Sequence, residues 1–86
     1  MLRVGFAPKF FRMLKKLEPD IQEQAFNRLE LFKDPKNHEF LKVHKLHGAL
    51  RDRYGFSVTY RIRIIFKYLS DKEVLVLTVD NHDIYR

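Results

Sequence analysis

The chain has 86 residues and a formal net charge of +6, which leaves room for one domain and no second core. It contains no Cys, so disulfides, thiolate nucleophiles and thiolate metal sites are excluded. The longest near-continuous apolar run, Val74 to Val79, is far short of the ~20 residues that span a membrane. The N-terminal stretch Met1 to Lys9 lacks the apolar core of a signal peptide. These features predict a single cytoplasmic domain over residues 1–86. Lys and Arg are spread along the chain rather than gathered in a tail. The excess charge therefore belongs to the folded surface, and such a surface attracts RNA, DNA or an acidic protein segment.

Leu2–Phe6 reads as an opening strand ended by Pro8. From Pro8 the spacing changes: Phe10, Phe11, Leu14 and Leu17 recur at three- and four-residue intervals, with Lys9, Arg12, Lys15 and Lys16 between them. That is an amphipathic helix with proline at its permissive start. Pro19 breaks it and opens a second helix, whose buried stripe is Ile21, Ala25, Leu29 and Phe32, flanked by Phe26 and Leu31. Glu18, Asp20 and Glu23 near its start suit the positive end of the helix dipole. Asp34 stops it, because a residue before proline avoids helical geometry. Residues 37–48 are polar and His-rich, and read as a loop with one short strand at Val43–Leu46.

After Gly48 the period becomes two. Tyr54, Phe56, Val58 and Tyr60 alternate with Arg53, Gly55, Ser57 and Thr59; Ile62, Ile64, Phe66 and Tyr68 alternate with Arg61, Arg63, Ile65 and Lys67. Ser70-Asp71-Lys72 suits a hairpin connection. In the last strand, alternation puts Leu75, Leu77 and Val79 on one side and Val76, Thr78, Asp80 and His82 on the other. The predicted order is β-α-α-β-β-β. This is an α+β fold, with two N-terminal helices packed on one face of a small antiparallel-rich sheet and a half-open basic face behind it.

The chemistry-bearing residues gather late in the chain. His82-Asp83-Ile84-Tyr85-Arg86 supplies an imidazole to move a proton, a phenol to orient substrate and a guanidinium to hold phosphate charge. Arg61 and Arg63, two apart on a predicted strand, would emerge together from the uncovered face, where guanidiniums can grip phosphate. Strand parity brings His82 to the same side. The plainer reading of the two arginines is a pair of solvated positions on a half-exposed sheet. Lys45 and His47, in phase on an extended segment, would line the basic face, and Arg51 and Arg53 share one parity and extend it. Asp52 is placed to pair with one of the latter two. His44 and His47 have no third ligand at sensible spacing, so no metal site is expected. Patterns for nucleotide hydrolases, esterases and metalloproteases are missing.

Taken in order, Leu2–Phe6, the two helices, Lys45-Leu46-His47-Gly48, Tyr60-Arg61-Ile62-Arg63-Ile64-Ile65-Phe66 and His82-Asp83-Ile84-Tyr85 resemble the RelE/ParE superfamily of toxins from bacterial type II toxin–antitoxin systems. The likeness spans essentially the whole chain and is closest to RelE, HigB and YafQ. It implies a ribosome-dependent endoribonuclease that cuts mRNA in the decoding site and arrests translation. In such enzymes the 2′-hydroxyl attacks the adjacent phosphate without metal or cofactor and leaves a cyclic phosphate. By position, the resemblance implies His82 as principal acid or base, Arg63 or Arg61 as stabiliser of the phosphorane, and Tyr85 as the group that positions substrate. It makes Lys45 and His47 contacts to RNA, a role that Arg51, Arg53 and Arg86 would extend. RelE itself carries basic residues in place of histidine at the position of His82, so that assignment follows the His-bearing relatives. The resemblance further implies a separate, acidic antitoxin polypeptide, with the toxin monomeric when free and hetero-oligomeric when bound. The alternative within the superfamily is a ParE-like toxin that inhibits DNA gyrase and cleaves no RNA; fold alone does not choose between the two.

Overall fold

The computed structural model describes residues 1–48 and 52–81. Strand β1 is Arg3–Phe6 and helix α1 is Pro8–Leu14, with the proline in its first turn, where the fixed φ suits a helix and the missing N–H costs nothing. Helix α2, Pro19–Phe32, starts the same way. The Gln22 amide donates to the Leu17 carbonyl at 2.8 Å, tying α2 to the short connection before it. At the other end of α2, Asn37 Nδ2 donates to the Leu31 carbonyl at 2.8 Å and His38 Nε2 lies 2.8 Å from the Phe32 carbonyl. Two side chains thus satisfy carbonyls that the helix itself leaves open.

The segment after Asp34 is more ordered than a loop. A 3₁₀ turn over Pro35–Asn37 runs into a short helix, α3, at His38–Leu41. The Asp34 carboxylate accepts from the Lys36 amide at 3.0 Å, and Lys42 ends α3 in the left-handed region, at φ 60°. Strand β2, His44–Lys45, falls inside the expected Val43–Leu46 stretch. Strands β3 (Tyr54–Ser57), β4 (Ile62–Tyr68) and β5 (Glu73–Asn81) follow.

The described strands form one sheet in the order β1-β5-β4-β3-β2, antiparallel throughout except where β1 runs parallel to β5. Helix residues Phe10, Leu14, Ala25, Leu29 and Phe32 pack on the sheet residues Phe56, Ile62, Ile64, Phe66, Val74, Val76 and Val79. Phe32 is the aromatic centre: its ring stacks on His38 at 4.7 Å and Phe56 at 4.8 Å, and lies 4.6 Å from Phe66. The architecture is therefore the expected α+β arrangement of helices on a mostly antiparallel sheet, with α3 added. Among the described residues, no helix is long and apolar enough to cross a membrane.

Two local expectations are corrected. In β5, Ile65 of β4 lies opposite Thr78, but the next residue, Phe66, lies opposite Val76. Leu77 is thus an extra residue, a β-bulge, and it shifts the alternation. Val74, Val76 and Val79 all face the helices. Leu75, opposite Lys67, turns away from them, whereas simple alternation paired Leu75 with Val79 and set Val76 against both. Asp80 and Thr78 keep the helix-free side.

The second correction concerns Arg61. β3 ends at Ser57, and the chain turns before β4 begins at Ile62. Thr59 Oγ1 accepts from the amides of Arg61 and Ile62, both at 3.2 Å. This local bond competes with strand pairing and folds Thr59, Tyr60 and Arg61 into a turn.

Candidate functional site

The helix-free face of the sheet carries the polar chemistry. Residues directly opposite in an antiparallel pair share a face, so the register places Ser57 of β3, Arg63 of β4 and Asp80 of β5 in one row across it. Arg63 Nη2 lies 3.4 Å from Asp80 Oδ2. Both side chains are largely covered, at 30% and 17% exposure respectively. The contact is single and long, where a fully engaged guanidinium–carboxylate pair makes two bonds at ~2.8 Å. Arg63 Nε is buried and has no hydrogen-bond partner among the described residues. A buried unsatisfied N–H costs about 1–3 kcal/mol, and an anionic oxygen arriving at this guanidinium would relieve that cost.

Arg53, just before β3, has the same feature: its Nε is buried without a partner among the described residues. Its carbonyl accepts from the Leu46 amide at 2.8 Å. Between these arginines the face is apolar rather than uniformly basic. Leu46 and Ile65 are buried but stand apart from the main core, and they close over Gly55. A Cβ there would sit 3.4 Å from Ile65 Cδ1 and 3.5 Å from Leu46 Cδ2. Toward the β1 edge, Arg3 and Glu73 approach to 3.7 Å in an exposed pair of little energetic weight.

Arg61 and Arg63 are not neighbours on one strand face. Arg61, in the β3–β4 turn, sets its guanidinium 5.1 Å from the Tyr60 ring centroid. It lines an open cleft at the end of the sheet with Lys16, Glu18, Ile21, Thr59 and Asn81. Lys45 also departs from expectation. It lies opposite Tyr54, whose side chain packs against the core, whereas His44 lies opposite Gly55. Lys45 thus stands on the helix side of the edge strand, and His44 takes the open side. His47 is exposed beyond the end of β2. His82, Tyr85, Arg86 and Arg51 lie outside the described residues. Strand β5 ends at Asn81, opposite Ile62, one residue beyond the Arg63–Asp80 pair and one before His82 in the sequence.

Asp80 is the site residue that the sequence reading missed. Its only signal was a shared parity with His82; the link to Arg63 depends on pairing between strands 17 residues apart. Among the described residues, no group of three or more His, Asp or Glu side chains is arranged to hold a metal ion.

No protein-family model matches the chain, and no curated protein does. Solved structures do. A chain of the toxin–antitoxin complex RelBE2 from Mycobacterium tuberculosis superposes with a TM-score of 0.69 at 23% identity, over 93% of this chain and 96% of that one. A chain of the archaeal RelE–RelB complex from Pyrococcus horikoshii OT3 gives 0.69 at 22% identity, over 94% of each. The YoeB–YefM complex from Staphylococcus aureus gives 0.72 at 17% identity, over 95% of this chain and 98% of that one. The fold is therefore the RelE-like fold, shared along nearly the full length of both partners in each comparison.

Proposed function

We propose that this protein is the toxin of a type II toxin–antitoxin system and that it cleaves mRNA on the ribosome in the cytoplasm. One observation carries the reading: nearly the whole chain shares its fold with chains of RelE–RelB and YoeB–YefM toxin–antitoxin complexes. The largely covered guanidinium of Arg63, whose Nε has no partner among the described residues, supports it from the side of chemistry.

In this mechanism His82 takes the proton from the 2′-hydroxyl of the nucleotide before the cut. The freed oxygen attacks the adjacent phosphorus, the bond from phosphorus to the 5′-oxygen breaks, and that oxygen receives a proton. The products are a 2′,3′-cyclic phosphate and a 5′-hydroxyl. Arg63 donates to the non-bridging oxygens, whose charge grows in the transition state, so its effect falls on rate more than on binding. Tyr85 positions the phosphate. Arg53, Arg51, Arg86 and His47 contact flanking backbone charge, with Arg61 at the turn, while Lys45, on the helix side of the edge strand, lies off this path. The partner that silences the toxin is a separate acidic polypeptide matched to the net charge of +6.

The test is induction in growing cells with mapping of mRNA 5′ ends. The reading expects new ends within translated codons, and it expects His82→Ala to abolish them while the variant melts like the wild type. Growth arrest with intact transcripts, accompanied by DNA-damage signalling and indifference to His82→Ala, would instead establish a gyrase inhibitor.

A further inference from the structure

The geometry points to Asp80 as a positioning residue: we infer that it holds the Arg63 guanidinium in the orientation that presents its remaining donors to a phosphate. The inference rests on the nuclease reading of the helix-free face.

Arg63 and Asp80 are register partners on β4 and β5, so the backbone brings them together regardless of side-chain rotamer. Ser57, the partner of Arg63 on β3, is small and bears no charge. Among the described residues Asp80 is therefore the acid that meets this guanidinium, and the two touch through one atom pair at 3.4 Å. An arginine has five N–H donors in a rigid planar fork. Anchoring the fork at Nη2 restrains its orientation and leaves Nε uncommitted among the described residues. Nε is buried with no partner among the described residues, the condition of a donor built to receive an acceptor that arrives with a ligand. A bidentate grip by Asp80 would fix the arginine equally well but would also occupy the edge that a phosphate needs. The low exposure of the Asp80 side chain, 17%, keeps water from substituting for it.

Asp80 touches no substrate in this account; it acts through Arg63. Three outcomes could follow from its loss. If it orients the guanidinium, removing its charge while keeping its shape lowers the rate at saturating substrate. If it competes with phosphate for Arg63, removing it raises the rate. If it merely supports the strand, rate and stability fall together.

The experiment compares wild type, Asp80→Asn, Arg63→Lys and the double variant in cleavage of mRNA on purified programmed ribosomes. The ¹⁵N–¹H signal of Arg63 Nε is followed by NMR in the free protein. The inference expects Asp80→Asn to lower kcat by roughly 10- to 100-fold, the scale of loss that a misplacement of about 1 Å causes, with KM little changed and the melting temperature held. It expects the Arg63 Nε signal to shift or broaden, and Asp80→Asn to add little to the loss already caused by Arg63→Lys. An unchanged Nε signal, a kcat that is unchanged or raised, or a melting temperature that falls together with kcat overturns the positioning role. Wild-type protein that leaves ribosome-bound mRNA intact overturns the nuclease reading, and with it the purpose assigned to the pair. A disturbed Nε signal in Asp80→Asn would still report the coupling of the two residues.

Discussion

Arg63 and Asp80 face each other across β4 and β5 and meet at 3.4 Å with both side chains largely covered. Their net value to stability is small, because the contact is single and long and its attraction is offset by the desolvation of two largely covered charges. Arg63→Lys keeps the charge but loses the planar fork and Nε. It is expected to leave the midpoint of urea unfolding within about 1 kcal/mol of wild type while reducing mRNA cleavage by at least roughly 100-fold. Equilibrium unfolding and initial rates on programmed ribosomes check this together. A stability loss as large as that of a core truncation would mean the pair is structural.

The bulge at Leu77 decides which way Asp80 points. Val74 and Val76 face the helices N-terminal to it, and Val79 faces them C-terminal to it. Deleting Leu77 alone removes the bulge and leaves Val79 inward and Asp80 outward, whereas deleting Leu77 and Thr78 together, with Val74 and Val76 kept inside, would set Val79 outward and Asp80 against the helices. Burying an unpaired carboxylate costs several kcal/mol, a large part of the 5–15 kcal/mol available to a domain. The double deletion is expected to abolish cooperative unfolding, whereas Leu77→Ala, at a half-buried position, costs only about 1 kcal/mol. Circular dichroism through a urea titration distinguishes the two.

That bulge also shows where sequence patterning stops. The helices were legible because Pro8 and Pro19 mark their starts and the three-four spacing of Phe10, Leu14, Ala25, Leu29 and Phe32 marks one face of each. β4 was legible because Ile62, Ile64 and Phe66 alternate with polar neighbours. From Val74 to Val79 every residue but Thr78 is apolar, so either parity presents an apolar face and an inserted residue leaves no trace. Helix α3 is four residues long, too short to show a period. In the Tyr60–Arg63 stretch alternation continues through the turn by coincidence, and the deciding interaction, the Thr59 hydroxyl on two backbone amides, is local chemistry that patterning ignores. Arg63 was recognised as a candidate; Asp80 was not, since cross-strand partners become visible only once register is known.

Tyr68 reports the packing at the far end of β4. Its ring makes edge contacts with Tyr54 at 5.0 Å and Phe66 at 5.5 Å. Desolvation, followed by the charge that Tyr54 acquires on ionising, raises its pKa above the ordinary 10.0. A raised acid stays neutral in the folded protein after its unfolded counterpart has ionised. The folded state is then disfavoured as pH climbs through and beyond 10. Below that value Tyr68 is neutral in both states and confers no pH dependence. Ultraviolet titration of the phenolates should show one tyrosine ionising later than the rest, and Tyr68→Phe should remove that phase and flatten the alkaline fall in stability.

Lys42 is the non-glycine residue with positive φ among those described, at φ 60° and ψ 42°, and its amide donates to the carbonyls of Glu39 and His38. The left-handed conformation costs an L-residue roughly 1–2 kcal/mol, and glycine is the usual solution at this point of a helix end. Lys42→Gly removes that strain but adds backbone freedom to the unfolded chain, worth about 0.5–1 kcal/mol in the opposite sense. The strain is the larger quantity, so the substitution is expected to stabilise the protein by about 0.5–1 kcal/mol. For a domain of this size that corresponds to a rise in Tm of roughly 2–8 °C. Lys42→Ala keeps the strain and adds no freedom of that kind, so it should leave Tm close to wild type. Lys42 is exposed at the end of α3, away from the Arg63–Asp80 row, so the glycine variant should keep full activity. Thermal unfolding of the two variants side by side is decisive: a glycine variant no more stable than the alanine one would show that the left-handed turn at the end of α3 carries no strain.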